Sequence, residues 1–355
     1  MSKGRGKAGI SLCAIVVVLS SSTPALAYTG GTLVHLRMSD FFRLDSQQAW
    51  TLVHNRSDKT FLFWTSDGGN SWRTFSTPFS LQNIFFLDPN NGWATAIEQV
   101  GGRIRFLCLR TSDSGRTWNK LSYLGSSDKA TGIAFDSNEH GWIVGEGDRR
   151  EEKATGTAFV YETTDGGEHW SKLPWSTEPA SGLYGVCLHH GTGFAWSAGG
   201  GGSGIFKLRP GALPERISNL ETMNFAFVSG DSILSASQFG VYLKTPADRD
   251  WQQVLKPENE TFWDMKFVDA DHGCVAGGEI YCTSDGGQTW ESRHVPRTPK
   301  GENEYIYKLY VLDALQGWAV GDDSIYQTND GGHSWSKVDF FGVDDCPLIH
   351  PRRIG

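Results

Sequence analysis

The sequence predicts an all-β fold, a seven-bladed propeller of four-stranded antiparallel blades. Three observations carry this. One eight-residue pattern recurs along the chain, a second motif recurs between its copies, and no helical period of useful length appears. The composition agrees: 43 glycines, 14 tryptophans and 12% aromatics in 355 residues suit short aromatic strands joined by tight turns.

The eight-residue pattern runs from Thr65 through Asp67 to Trp72, and from Thr111 through Asp113 to Trp118. It returns at Thr163, Asp165 and Trp170, at Thr283, Asp285 and Trp290, and at Thr328, Asp330 and Trp335. A degenerate copy ends at Trp251, and another lies near 205–214 with the Asp and Trp lost. The second motif centres on Trp50, Trp93, Trp142, Trp196, Ile233, Cys274 and Trp318. Both series count seven, at the spacing of one propeller blade of about 45 residues. In each Asp-Gly-Gly turn, glycine takes positive φ without steric cost and the Asp accepts bonds from the turn's own amides. These aspartates are therefore expected to hold turns, and the Trp that follows is expected to pack on its blade. Copies spread around a ring cannot all line one active site.

The chain divides into a leader (1–27), a single propeller (28–341) and a C-terminal tail (342–355). The leader has Lys3, Arg5 and Lys7, an apolar run from Ile10 to Leu19, and Ala25-Leu26-Ala27. That is the layout of a signal peptide cut after Ala27. Cys13 opens the apolar run instead of following it, which disfavours a lipoprotein. Export is expected, to the periplasm or exterior in a bacterium, with no integral membrane segment after cleavage. Cleavage removes three cations and no acid, taking the formal charge from −8 to −11. An acidic chain is a poor general nucleic-acid binder. Ring closure is open, since 31–37 could add a strand to the last blade.

The Thr-x-Asp-x-Gly-x-Ser/Thr-Trp turn is the Asp box, or BNR repeat, of sialidases and other propellers. Its pairing with Leu312-Asp313-Ala-Leu-Gln-Gly-Trp318-Ala-Val-Gly321 and with Gly141-Trp142-Ile-Val-Gly145 resembles the photosystem II stability/assembly factor family. The resemblance implies a seven-bladed propeller without known catalysis, outside the cytoplasm, that binds a partner protein and serves as scaffold or assembly factor. It implies a thylakoid-lumen-type location only if it extends to photosynthesis.

The rival reading is a secreted glycoside hydrolase. A sialidase-like site would draw on Arg43 and on Tyr305 or Tyr307, though Phe42-Arg43-Leu44-Asp45 lacks the proline of the usual motif. Arg43 also aligns with Phe86, Phe135, Phe267 and Val311, an apolar position, which makes a buried, paired arginine the alternative. A xyloglucanase-like pair would use Asp40 and Asp264 at inner-strand starts. Lys308 and Asn83 share that position and would ring the channel.

If strands run A to D outward, the Asp turns share a face with the A–B turns. The B–C and D–A loops then form the opposite face, where a partner is expected. Its candidate contacts are Arg103, Arg105, Arg149 and Arg150. Glu151 and Glu152 could neutralise the last two. Lys120 and Lys337 are expected near the Asp turns.

No catalytic residue, cofactor or metal site is expected. Ser203 lacks nucleophile-elbow spacing. His189 and His190 have no third ligand at metal spacing, and no Cys/His cluster has zinc spacing. Five cysteines follow the leader: Cys108, Cys187, Cys274, Cys282 and Cys346. Cys274 and Cys282 flank a hairpin and could pair. Asn55 and Asn259 stand in sequons that matter only in a eukaryotic secretory route.

Overall fold

A computed structural model of the chain describes residues 37–54, 59–69, 71–101, 103–124, 129–147, 158–175, 182–198, 202–256, 261–294, 305–321 and 325–337. These residues form 28 strands in seven four-stranded antiparallel sheets. The sheets span 37–76, 80–123, 129–172, 185–218, 224–255, 264–293 and 306–337, and we number them blades 1 to 7. Within each blade the strands are spatially ordered as they are in sequence, A to D.

The seven residues of the second motif series all fall on B strands, Trp50 in blade 1 through Trp318 in blade 7. Alternation explains why: the B strand is covered on both faces, so Trp50, Trp93 and Trp142 are fully buried. Trp50 stacks on Phe86 of blade 2 at 3.9 Å, and Trp93 on Phe135 of blade 3 at 3.9 Å. Aromatic pairs therefore couple each early blade to its successor. At the seam, Phe41 of blade 1 meets Tyr310 of blade 7 edge-on at 5.5 Å. All four strands of each blade are consecutive, so side-chain packing closes the ring among the described residues. Arg37 starts the A strand of blade 1, while 31–36 lie outside the described residues.

The A strands are Arg37–Arg43, Ser80–Phe86, Lys129–Phe135, Gly185–His189, Asn224–Val228, Asp264–Phe267 and Ile306–Val311. They surround a central channel of ≈ 1170 Å³.

The Asp turns join C to D strands and bind back to the A–B turns. The amides of Gly68, Ser114, Gly166, Gly286 and Gly331 donate to carbonyls of Gln47, Asn90, Glu139, Asp271 and Leu315 at 2.7–3.1 Å. Both sets of turns therefore share one face. The residue after each of these donors is glycine for a second reason. Gly115 has φ +87, and a Cβ there would stand 2.2 Å from a Leu62 methyl in blade 1. Each Asp turn wedges against the preceding blade, and a side chain would push the two apart.

Candidate partner-binding face

The Asp turns are internally saturated. In each, the Thr hydroxyl donates to the Asp carboxylate and accepts the second Gly amide at 2.8–3.0 Å. The carboxylate also takes the backbone N–H of Ser71, Thr117, His169, Thr289 or Ser334. The His169 amide holds Asp165 at a pKa of about 2, and the Ser334 hydroxyl and amide hold Asp330 at about 2. For Asp67, Asp113 and Asp285 burial pushes upward, but the hydrogen bonds outweigh it and the pKa falls. Of the turn tryptophans, Trp170 and Trp290 donate to Gly167 and Gly287 at 3.1 and 3.0 Å. Trp118 and Trp335 are buried, and with Trp72 they leave the indole N–H without a partner among the described residues.

The inner-strand candidates prove to be braces. One carboxylate oxygen of Asp264 accepts the Leu309 amide of blade 7 at 3.0 Å. The other accepts the amides of Met265 and Asn224's side chain, and lies 3.3 Å from the Lys266 ammonium. Burial raises the Asp264 pKa most, but Lys266 and Lys308 outweigh it and the acid stays below its usual range. Asp40 accepts Ile84 of blade 2 at 2.8 Å and its neighbour Phe41 at 3.0 Å, yet burial leaves its pKa raised. Asn83 bridges in the same way to the Thr131 carbonyl of blade 3. Arg43 donates to the Val268 carbonyl at 2.9 Å, among Asp313, Asp45 and Asp269. It is the one arginine among the described channel-lining residues, so no arginine cluster forms there for a substrate carboxylate. Tyr307 stands by Trp263, ring centroids 5.7 Å apart, and Tyr305 is exposed. Of the residues of the glycosidase reading, Arg43, Asp40 and Asp264 thus bond across blades.

The opposite face is different. Blade 2 carries its longest strands, Gly92–Val100 and Arg103–Thr111, nine residues each, and their B–C hairpin stands on this face. Val100 and Ile104 are exposed near its tip. Phe239 in the B–C turn of blade 5, and Tyr184 and Tyr305 at D–A connections, are exposed as well. Five of the nine exposed large hydrophobics among the described residues thus share this face, whereas Leu213 and Leu315 lie on the Asp-turn face. The five stand on blades 2, 4, 5 and 7. Arg105 lies 5.2 Å over the Tyr123 ring, and the Tyr123 hydroxyl donates to Glu98. Lys120, expected by the Asp turn, instead reaches Glu98 at 2.7 Å. A cavity of ≈ 470 Å³ beside the hairpin is lined by Lys59, Phe79, Glu98 and Gln99. Arg103 is in the hairpin strand, but its side chain lies outside the described residues, as do Arg149 and Arg150 entirely.

Cys274 and Cys282, directly opposite across the B–C hairpin of blade 6, form a disulfide. Cys108 and Cys187 are free thiols whose pKa values burial raises, that of Cys187 to about 12. Among the described residues no helix is long and apolar enough to cross a membrane. The sequence reading of His189–His190 as a pair without a third ligand needs correction. The fold brings Asp231, from the next blade, within hydrogen-bond distance of both.

Fold and face together define a seven-bladed propeller with one braced face and one exposing apolar side chains. The model of the photosynthesis system II assembly factor YCF48 family matches residues 243–342. The chain is 37% identical to the photosystem II assembly protein Ycf48 of Thermosynechococcus vestitus, covering 72% of this chain and 84% of that one. It is 25% identical to the photosystem II assembly lipoprotein Ycf48 of Trichormus variabilis, covering 88% and 91%. It belongs to the Ycf48 photosystem II assembly factor family. A solved structure of YCF48 bound to a D1 peptide superposes with TM-score 0.59 at 19% identity, over 87% of this chain and 99% of that one. That likeness speaks for the fold.

Proposed function

We propose that this protein is an exported, non-catalytic scaffold that binds a photosystem II polypeptide during assembly, through its B–C/D–A face. The observation that carries the reading is the gathering of Val100, Ile104, Tyr184, Phe239 and Tyr305 on that face of a Ycf48-family propeller. Arg103, Arg105, Arg149 and Arg150 add positive charge to an acidic chain, which would speed capture of an acidic partner and help select it. The leader 1–27 directs export, and the propeller occupies 28–341. The related structure holds a D1 peptide, so a D1 peptide is the first partner to try. Affinity capture from the native membrane fraction tests the reading. Recovery of a photosystem II core polypeptide is expected. Recovery of none, together with turnover of a fluorogenic glycoside, would overturn it.

A further inference from the structure

Blades 4 and 5 are the two that lack a complete Asp turn, and their A–B turns meet at His189, His190 and Asp231. His189 ends the A strand of blade 4, and Asp231 ends the short 3-10 turn Ser229–Asp231 of blade 5. The Nε2 atoms of His189 and His190 stand 2.9 and 3.2 Å from one oxygen, Asp231 Oδ1. One donor atom from each residue lies within 4.8 Å of the other two.

This convergence is built by the backbone. Neighbouring strand residues point to opposite faces, so two consecutive histidines do not ordinarily meet one ligand. His190 escapes that rule with φ 48, and Asp231 turns toward it with φ 57. Among the described non-glycine residues only Ser114 also has positive φ. The His189 ring lies flat on Phe227, centroids 3.7 Å apart and planes 4° from parallel, which fixes the plane of its imidazole.

We propose that His189, His190 and Asp231 bind one Zn²⁺ ion that clamps blade 4 to blade 5. Two imidazole nitrogens and a carboxylate oxygen suit zinc, at about 2.0–2.2 Å from the metal, with water in the remaining position. Donors around such an ion stand roughly 3–3.5 Å apart, and the two nitrogens already lie 2.9 and 3.2 Å from the carboxylate oxygen. The ion displaces each Nε2–H from Asp231: a neutral ring carries that proton on Nδ1 instead, a protonated ring releases one proton, and both rings bind neutral.

The position gives the clamp a purpose. The other five blades brace their A–B turns with an Asp-turn amide. Blade 5 is tied forward to blade 6 through the Ser229 amide, 3.1 Å from the Ala270 carbonyl, and through the Ser229 hydroxyl to Asp271. The histidine pair supplies the backward tie to blade 4.

The test uses the full chain without an affinity tag. ZnCl₂ is titrated by calorimetry, thermal unfolding is followed with and without the ion, and Co²⁺ reports ligation by its visible absorption. The wild type should bind one ion, melt a few degrees higher when saturated, and show Co²⁺ bands. His190→Ala and Asp231→Asn change exposed side chains and so leave the fold intact. Each should weaken binding by about tenfold or more and lose both the shift and the bands. Wild type that takes up no stoichiometric Zn²⁺, or variants that bind as wild type does, would overturn the proposal.

Discussion

The indole N–H of Trp93 donates to the Gly166 carbonyl, 2.8 Å away in the Asp turn of the next blade. Trp50 repeats the bond one blade earlier, to Ser114 at 3.0 Å. Trp142 holds the same place in blade 3, but blade 4 has no Asp turn to receive it. Its indole N–H is buried without a partner among the described residues. Blade 4 is joined to blade 3 by another route, the Gly211 amide donating to Glu162 at 2.9 Å.

That difference predicts unequal costs for one substitution. Trp93→Phe loses ring volume and a buried hydrogen bond, whereas Trp142→Phe loses volume alone. Urea denaturation should find Trp93→Phe the more destabilising by about 1 kcal/mol or more. Equal costs would contradict an energetic role for the indole bond.

The Asp turns predict a response to acid. An aspartate whose folded pKa lies below its unfolded value stabilises the fold above the unfolded value, and this is lost as pH falls through the folded one. For Asp165 and Asp330 the window runs from about 3.8 down to about 2. The melting temperature should fall across it. Asp330→Asn, which cannot titrate, should flatten the fall, and an unchanged slope would contradict the assignment.

Asp264 separates brace from catalyst. Asp264→Ala leaves the Leu309 amide, the Met265 amide and Asn224 without their acceptor in a fully buried position. Chemical denaturation should show a loss of about 3 kcal/mol or more. A catalytic Asp264 would instead leave stability nearly unchanged and abolish a measurable turnover.

The leader makes a separate prediction. Mass spectrometry of the protein purified from its source should find Tyr28 at the N-terminus. A chain retaining Met1 in the cytosol would contradict export.

The fold was legible because its signals are local. Each Asp turn needs eight contiguous residues, and each B-strand motif needs a few more, so Trp50 to Trp318 mark seven blades before any contact is known. Contacts between blades were not legible. Asp231 lies 41 positions beyond His190, and only ring geometry places them together. Asp40 and Asp264 looked like candidates for chemistry because their sequence positions show where they begin a strand, not that the next blade's amides occupy their oxygens. Lys120 misled for a similar reason: its place in the chain is near an Asp turn, but its long side chain lies along blade 2 to Glu98.

The central claim is that the partner meets the B–C/D–A face, and paired surface variants test it most directly. One variant combines Ile104→Asp with Arg105→Glu on the blade 2 hairpin. The other combines Leu315→Asp with Lys337→Glu, at an A–B turn and an outer D strand of blade 7. All four positions are exposed, so both variants should fold with wild-type circular dichroism. Binding of each is measured by pull-down against the captured partner and by titration with a D1 peptide. The hairpin variant should lose tenfold or more in affinity, the share expected of central interface residues, while the blade 7 variant binds as wild type. Loss of binding by the blade 7 variant with the hairpin variant unaffected would place the partner on the Asp-turn face and contradict the account.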